Sequence, residues 1–300
     1  MARSDSPIGE VIELRSGDSR VEITAVGAHL RRFQVARREA IVPFGDELPW
    51  GAHGAVLAPW PNRIDAGTYS WEGEEYRLPL TEPERNNAIH GLVMTEPWQP
   101  AQVTPGHAEF TVDLAASAGY PFPLRLSVAY LLDGADLTVD FRAENHGGRT
   151  APFGVGFHPW LAAGPGGLEG ATLTADVGTW FRSDARLLPV AEEQVPREFD
   201  FRGGKPLGDL RLDDAFGMPR FDESGRSWVY LHGDDGATVA AWMREPLRVW
   251  QLCSDPSPAP RPGLAVEPMT CPANAFRTGD RLHALAPGTS WQLQWGLTLS

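Results

Sequence analysis

Hydrophobic and polar residues alternate along most of the chain with a period of two, which is the spacing of a β-strand that buries one face. The clearest alternation runs from Trp291 to Leu299, where apolar side chains are separated by polar ones such as Gln292 and Gln294. Similar alternating runs occupy residues 21–25, 110–114, 124–130 and 137–143. We therefore predict strands over these segments.

Two turn signals indicate how some of these strands pair. Asp133-Gly134 lies between two alternating runs, and an Asp-Gly pair in this setting is a strong signal for a β-hairpin. The segment Gly233 to Gly236 separates the apolar runs 228–231 and 238–242 in the same way. Both pairs of strands are predicted to be antiparallel neighbours.

Convincing amphipathic helices are missing, and 32 glycines and 27 prolines punctuate the chain at intervals that suit many short strands. The predicted fold class is all-β, a large antiparallel β-sandwich. No change of composition marks a linker and no internal repeat is evident, so residues 1–300 are interpreted as one domain.

Net charge limits the classes of partner that the protein can bind, and cysteine content helps to predict its cellular compartment. The formal net charge is −13, which disfavours nucleic acid and anionic membrane surfaces as partners because the protein's own field repels them. Cys253 and Cys271 are too few for a disulfide scaffold and lack metal-ligand spacing. Because no apolar stretch is long enough to cross a bilayer and no export signal is found, a cytoplasmic protein is expected.

The segment Pro152 to Leu161 contains the most informative candidate functional residues. Gly154 and Gly156 alternate with bulky residues in a predicted strand, and glycine inside a strand often marks the close approach of another segment or a ligand. Pro159 ends the strand and leaves His158 at its end, beside Trp160. His158 is either a group that meets a polar substrate or a histidine that only caps the strand.

Four further polar positions stand beside glycine or proline. Each could bind a substrate, and each has a simpler structural explanation. Arg63 could be a solvated loop residue, and the Asp213-Asp214 pair could begin a turn. His90 belongs to a short Asn-x-x-His-Gly motif that is weak evidence by itself. Glu267 follows an apolar run, so we expect a partly desolvated carboxylate with a raised pKa. The alternative for Glu267 is a buried salt bridge to an arginine such as Arg63.

Familiar catalytic motifs are missing from the sequence. It contains no His-Glu-x-x-His or paired Cys-x-x-Cys zinc motif, no Gly-x-Ser-x-Gly elbow and no Walker loop. What remains is a β domain whose candidate groups are two histidines, two carboxylates and an arginine.

Five motifs together resemble the aldose 1-epimerase (galactose mutarotase) family, and they follow that family's order over nearly the whole chain. They are Asn62-Arg63-Ile64 with Gly67, Asn87-x-x-His90-Gly91, His158-Pro159-Trp160, Leu212-Asp213-x-x-Phe216, and Glu267 followed by Pro272. The resemblance implies an open sugar cleft in a β-sandwich and an isomerase that interconverts the α and β anomers of a free hexose. It also implies that this reaction uses neither a cofactor nor a metal.

The resemblance also implies roles for individual residues. Glu267 is then the general base and His158 the general acid, with His90 beside them in the catalytic group. His90 also holds the sugar hydroxyls, together with Arg63 and Asp213. Asn62 belongs to the same substrate-binding set, and Trp160 offers an apolar ring to a C–H face of the sugar. For this chemistry the carboxylate needs a raised pKa and the histidine a cationic form near neutrality.

Departures from the family pattern leave the choice of sugar open. Trp160 stands where tyrosine is usual, Met269 where glutamine is often found, and Trp250 is a candidate for a sugar-contacting place. The alternatives are a hexose-6-phosphate 1-epimerase, which would need a basic cluster near the cleft, and a carbohydrate-binding domain without catalysis.

Overall fold

The computed structural model describes residues 6–300, and it confirms the predicted all-β architecture. Helical structure in this range is limited to single turns: α1 (Gly167–Gly170), α2 (Ala275–Thr278), and 3-10 turns at Trp50–Ala52, Pro83–Arg85 and Arg197–Phe199. Within residues 6–300, no helix has the length and apolar character needed to cross a membrane.

The strands are numbered in chain order. The first nine are β1 (Val11–Ser16), β2 (Ser19–Thr24), β3 (Leu30–Val35), β4 (Arg38–Glu39), β5 (Val56–Leu57), β6 (Arg63–Asp65), β7 (Thr68–Trp71), β8 (Glu74–Arg77) and β9 (Asn87–Ile89). The next nine are β10 (Gln99–Thr104), β11 (His107–Leu114), β12 (Leu124–Asp133), β13 (Asp136–Asn145), β14 (Ala151–Phe153), β15 (Gly156–Phe157), β16 (Trp160–Ala162), β17 (Thr172–Ala175) and β18 (Val177–Ser183). The last nine are β19 (Pro189–Gln194), β20 (Lys205–Pro206), β21 (Asp213–Pro219), β22 (Ser227–His232), β23 (Thr238–Met243), β24 (Val249–Ser254), β25 (Gly263–Met269), β26 (His283–Leu285) and β27 (Ser290–Leu299).

One layer of the fold is a nine-stranded sheet with the order β10-β11-β12-β13-β27-β23-β22-β17-β20. Its central strands are those with the most regular alternation of apolar and polar residues. Both predicted hairpins are confirmed: β12 pairs with β13 across the Asp133-Gly134 turn, and β22 pairs with β23. Gly134 has φ +55°, the left-handed conformation that a two-residue hairpin turn requires.

The second layer is an eight-stranded sheet. Seven of its strands follow the order β19-β18-β21-β24-β25-β15-β5, and β16 pairs with β25 beyond the end of β15. The hydrophobic core connects the two layers: the ring of Phe157 on β15 lies 5.8 Å from that of Phe141 on β13 and 5.1 Å from that of Trp295 on β27. This face-to-face packing is the predicted β-sandwich.

The smaller sheets lie beside these layers. They are the four-stranded sheet β1-β2-β3-β4 and the two-stranded pairs β6-β9, β7-β8 and β14-β26. The pair β6-β9 matters for function because it carries Arg63 and ends beside His90.

The strand predicted before Pro159, with Gly154 and Gly156 inside it, is interrupted, because the chain changes sheets there. β14 pairs with β26, whereas β15 pairs with β25 and β5. The interpretation of the glycines as points of close approach is confirmed. A Cβ on Gly156 would lie 2.9 Å from Met269 and from Pro61, and one on Gly154 would lie 2.6 Å from the sulfur of Cys271.

Candidate active site

The register of three neighbouring strands places a polar group on the outer face of the eight-stranded sheet. Glu267 on β25 is paired with Gln251 on β24, and Asp213 on β21 is paired with Cys253 on β24. Directly paired residues of antiparallel strands share a face, and residues two apart on one strand do as well. All four side chains therefore project from the sheet on one side.

Trp250 lies on the opposite face of β24, and the prediction that it contacts the sugar is wrong. Its side chain is fully buried in the core between the sheets, where its indole N–H donates to the Ser227 hydroxyl at 3.1 Å. The alternation of β24 puts Gln251, its neighbour, on the side of the polar group.

His158 reaches this polar group from the link between β15 and β16. Its backbone N–H donates to the carbonyl of Ala55 at 3.0 Å, and its carbonyl accepts from Gly54 at 2.9 Å. Two backbone hydrogen bonds to one neighbouring segment fix the position of the residue. His158 is thus more than a strand cap, because its ring is directed into the interior of the site.

The imidazole of His158 and the carboxylate of Glu267 form a buried pair. Nε2 of His158 lies 3.3 Å from Oε1 of Glu267, and the two residues are 5% and 2% exposed. The alternative in which Glu267 forms a salt bridge with Arg63 is wrong, because Arg63 is engaged by another carboxylate. Oε2 of Glu267 and Nδ1 of His158 have no hydrogen-bond partner in the described part of the chain.

Burial shifts the two pKa values of this pair in opposite directions. It raises the pKa of Glu267 well above its ordinary value, and the nearby Asp213 carboxylate adds to that rise. Burial also lowers the pKa of His158 well below its ordinary value, with His90 and His53 contributing in the same direction. The raised pKa of Glu267 was predicted, but the predicted cationic form of His158 is wrong for the free protein because burial disfavours the charge.

His90 and Asn62 lie at the same end of the β6-β9 pair. The backbone N–H of His90 donates to the carbonyl of Asn62 at 2.9 Å, and both residues adopt positive φ angles of +64° and +54°. The ring of His90 meets that of His158 edge-on at 5.4 Å between centroids. Burial lowers the pKa of His90 to about 3, with the positive charge of Arg63 as the second cause, so its imidazole is neutral.

Glu82 holds the guanidinium of Arg63 in a two-pronged ion pair. Nε of Arg63 donates to Oε2 of Glu82 at 2.9 Å and Nη2 donates to Oε1 at 3.0 Å. Asn87 donates a further hydrogen bond to Oε2 at 2.9 Å. Burial opposes ionisation of Glu82, but these donors together hold its pKa below the ordinary value.

The remaining donors of Arg63 face Asn62 and Asp213. Nη1 of Arg63 donates to Oδ1 of Asn62 at 3.3 Å, and Nη2 lies 3.9 Å from Oδ2 of Asp213. Gln251 completes the network by donating to Oδ1 of Asp213 at 2.8 Å and accepting from Asn62 at 3.3 Å. Asp214 instead accepts from the indole of Trp180. Of the two adjacent aspartates, Asp213 therefore belongs to the site.

Glu82 and Gln251 are two site residues that the sequence analysis did not single out. Glu82 lies among other charged residues in Thr81-Glu82-Pro83-Glu84-Arg85, and Gln251 lies inside an apolar strand. The only sequence signal for Gln251 is that it is a polar residue inside the otherwise apolar run from Val249 to Cys253. Glu82 has no such signal, because its function comes from pairing with Arg63.

Trp160 lies in the wall of the site, but only 3% of the residue is exposed. Its indole is nearly parallel to the ring of His53 at 4.8 Å and to that of His158 at 5.7 Å. Its N–H donates to the carbonyl of Gly51 at 2.9 Å. These contacts leave little of the indole surface for a sugar and make Trp160 a support for His158.

The catalytic pair and most of the network border one cavity of about 690 Å³, and Gln251 supports Asp213 from behind the cavity wall. Its lining includes every sequence-predicted site residue: Asn62, Arg63, His90, His158, Trp160, Asp213 and Glu267. Cys253 also lines it, and burial raises the pKa of that thiol, so it is protonated at neutral pH. The cavity combines a buried acid–base pair with a fixed hydrogen-bonding network, an arrangement suited to proton transfer on a polar substrate.

The donor groups of the site are too few and too far committed to one another to suit a metal ion. Across residues 6–300, His, Cys, Asp and Glu side chains form no cluster of three or more that could hold a metal ion. The His158–Glu267 pair offers two donors, and the other site carboxylates are committed to Arg63 and Gln251.

Comparison with known proteins agrees with the resemblance seen in the motifs. Residues 10–298 match the family model described as aldose 1-epimerase. The chain is 31% identical over 290 residues to the uncharacterized protein YihR of Escherichia coli K12, covering 95% of this chain and 92% of that protein. It is 29% identical over 225 residues to the galactose mutarotase of Bos taurus, covering 68% of this chain and 65% of the bovine enzyme.

A solved structure shows the same fold. The GalM/aldose epimerase homologue from C. elegans superposes with a TM-score of 0.86 and 18% identity, over 97% of this chain and 98% of that one. The family match over nearly the whole chain and the motif residues gathered in one cavity lead to the same conclusion. This protein belongs to the aldose 1-epimerase family, a family of isomerases.

Proposed function

We propose that the protein is a mutarotase that interconverts the α and β anomers of a free hexose. The observation that carries this proposal is the buried contact of 3.3 Å between Nε2 of His158 and Oε1 of Glu267, inside a cavity large enough for a sugar. A base and an acid in direct contact can act on two neighbouring oxygens of the same hemiacetal. These are the hydroxyl oxygen O1 and the ring oxygen O5.

In this proposal ring opening is a single proton relay. Glu267 removes the proton from the O1 hydroxyl while His158 gives a proton to O5, and the C1–O5 bond breaks as the C1=O1 double bond forms. The open aldehyde then rotates about its C1–C2 bond. Ring closure on the other face of C1 reverses both proton transfers, so the two residues end in the states in which they began.

The free pair holds one proton, and that proton can lie on either group. Burial disfavours charge on both groups, so the free protein favours the neutral form with the proton on Glu267. Transfer of this proton across the 3.3 Å contact to His158 gives the carboxylate and imidazolium that ring opening needs. The net charge of the cavity does not change in this step.

The sugar hydroxyls distant from C1 are bound, in this proposal, by the hydrogen-bonding network around Arg63 and Asp213. Arg63 is held in place by Glu82, and Asp213 by Gln251, so both can meet a hydroxyl without reorganising. Neutral His90 can donate or accept a hydrogen bond next to the catalytic pair. Asn62 orients the Arg63 guanidinium, and Trp160 orients the His158 ring.

The charges of the cavity favour a neutral sugar over a hexose phosphate. Its lining contains two arginines, Arg63 and Arg85, and four carboxyl groups. Both arginines bond to Glu82. A phosphate group would therefore meet a region in which positive charge is already paired and carboxylates are in excess.

The proposal is tested with polarimetry on freshly dissolved α-D-glucose and α-D-galactose, with and without protein. The wild type is expected to speed the approach to anomeric equilibrium, and Glu267→Gln and His158→Asn are each expected to lower kcat by about 100-fold or more. Asp113→Asn serves as the control, since Asp113 pairs with Arg125 on the nine-stranded sheet, outside the cavity. Equal rates with and without the wild-type protein would overturn the proposed function.

A further inference from the structure

A second cavity borders the segment Leu48 to Trp50, which also lines the cavity that contains Glu267 and His158. The second cavity measures about 600 Å³, and it shares only these three residues with the first. None of the proposed catalytic or sugar-binding residues lines it. The sugar chemistry proposed above therefore does not account for this cavity.

Asp255 is a fully buried residue in the lining of the second cavity. Its Oδ1 accepts from the backbone N–H of Ser257 at 2.7 Å, whereas Oδ2 has no hydrogen-bond partner in the described part of the chain. Arg211 contacts the same residue, but it donates to the backbone carbonyl at 2.9 Å and not to the carboxylate. A buried carboxylate oxygen without a donor costs free energy, so this position suits a ligand with a cationic N–H group.

His53 lines the same cavity, but it does not supply the missing positive charge. Burial lowers the pKa of His53 to about 4, and the Val42 carbonyl and the Asp255 carboxylate oppose this shift only in part. The ring also stacks on the indole of Trp160 at 4.8 Å. The imidazole is therefore neutral at pH 7 and leaves Asp255 without a cation.

Two further carboxylates lie at the open side of the cavity. Asp46 and Glu47 belong to its lining, and both are exposed. Arg31 donates to Asp46 at 2.9 Å, but the Asp46 side chain is 84% exposed, so this ion pair is weak. The lining contains three carboxylates and neither lysine nor arginine. Its charge therefore favours a cationic ligand.

Apolar side chains separate the buried carboxylate from the exposed ones. Phe44 is half-buried, and Leu48 and Trp50 are 42% and 56% exposed. Trp50 is held in place, since its ring lies 5.2 Å from that of His53. Such a wall suits methylene groups, and aromatic rings also attract an ammonium group. A metal ion fits less well, because His, Cys, Asp and Glu within residues 6–300 form no cluster of three or more that could hold one.

We propose that the second cavity binds a small aliphatic diamine. One ammonium group donates to Oδ2 of Asp255, and the methylene chain packs against Phe44 and Trp50. The other ammonium group meets the carboxylates of Asp46 and Glu47. The diamine site is independent of the proposed mutarotase function, because no catalytic or sugar-binding residue takes part in it.

Isothermal titration calorimetry of the full chain with putrescine (1,4-diaminobutane), at pH 7 and low ionic strength, tests the proposal. We expect a Kd below about 1 mM for the wild type. Asp255→Asn should raise the Kd about 10-fold or more, because a charged hydrogen bond is lost. Glu47→Gln should raise it about 2- to 5-fold, as expected for an exposed charge. The uncharged 1,4-butanediol has the same chain length and should not bind.

The matched control is Asp113→Asn, which removes a carboxylate paired with Arg125 on the nine-stranded sheet, outside the cavity. It should bind putrescine as the wild type does, because a general attraction to the net charge of −13 is not the cause of binding. Circular dichroism shows whether Asp255→Asn is folded, and the exposed Glu47→Gln tests the site even if it is not.

Two results would overturn the diamine site. One is the failure of putrescine to bind the wild type. The other is a Kd that folded Asp255→Asn and Glu47→Gln leave unchanged, or that Asp113→Asn raises as much as Glu47→Gln does. Neither result bears on mutarotation, which the polarimetric assay measures separately.

Discussion

At the scale of single residues, the site depends on a proton shared by two buried groups. Glu267 and His158 are coupled, so their titration belongs to the pair rather than to either residue. The pair is active when it holds one proton. A second proton removes the base, and loss of the only proton removes the acid.

We therefore predict a broad pH optimum for kcat/KM. Because the pKa of His158 is lowered, the second proton is gained only below histidine's ordinary value of 6.5, which places the acid limb below that pH. Because the pKa of Glu267 is raised, the alkaline limb lies well above the ordinary carboxyl value of 4.5. Rates of mutarotation measured across pH would contradict this if activity fell with a midpoint at or above pH 6.5 on the acid side.

The Arg63–Glu82 pair gives a second prediction at this scale. Glu82→Gln leaves the buried guanidinium without its counter-charge, and we expect a loss of about 2 to 3 kcal/mol in unfolding free energy at pH 7. The pKa of Glu82 is lowered in the folded protein, so its stabilising effect is present above the ordinary value of 4.5 and is lost as the pH falls through the lowered value.

Urea denaturation at pH 7 and at about pH 3 measures this difference. Glu96→Gln, a change to an exposed glutamate outside the cavity, is the control and should have little effect at either pH. Equal stability of Glu82→Gln and the wild type at pH 7 would show that the Arg63–Glu82 pair contributes nothing to the fold.

At the scale of elements, strand register and tight turns determine the positions of the site residues. The β21-β24-β25 register brings Asp213, Gln251 and Glu267 to one face, and the turn after β9 places His90. Gly91 follows His90 with φ +74°, and a Cβ there would lie 2.0 Å from the carbonyl oxygen of Ala58. This clash is with backbone, so it cannot be relieved by moving a side chain.

Gly91→Ala is therefore expected to cost about 3 kcal/mol or more in stability, because positive φ and a backbone clash act together. Denaturant unfolding measures the loss. Gly73→Ala is the matched control: Gly73 also has a positive φ of +85°, but its Cβ would meet nothing within 4 Å. A loss at Gly91 no larger than that at Gly73 would rule out the close approach of Ala58.

Sequence patterns predicted those elements whose structure is set locally. Alternation predicted the hairpin β12-β13 and the long strand β27, because one face of each meets the core. The interruption between β14 and β15 could not be predicted, since it arises from the change of partner strand. The pairing of Glu82 with Arg63 and the neutral state of His158 likewise depend on tertiary burial, which the residues nearby in sequence do not reveal.

At the scale of the whole molecule, the core supports the catalytic pair from behind. Phe157 precedes His158 and packs on Phe141 and Trp295 of the other sheet. The position of the imidazole is thus connected to the packing between the two layers. Protein interiors are densely packed, so a change of side-chain shape at position 157 displaces the neighbouring residues.

Phe157→Leu should lower the unfolding free energy by about 1 to 2 kcal/mol and also reduce kcat, since the backbone of residue 158 is no longer held in one position. Leu293→Val, a change in the same sheet interface on β27, is the control for stability alone. Denaturation and mutarotation rates on both variants separate the two effects. A kcat for Phe157→Leu equal to that of Leu293→Val would contradict a link between the core and the pair.

The central claim is that Glu267 and His158 act on a single sugar ring. It is tested most directly by a crystal structure of the Glu267→Gln variant with galactose, in which the slowed reaction preserves the bound sugar. We predict that Nε2 of His158 lies within hydrogen-bond distance of the ring oxygen O5 and that the side chain at position 267 lies within the same distance of O1. Galactose bound away from both side chains, or contacting only one of them with its reducing end directed elsewhere, would contradict the account.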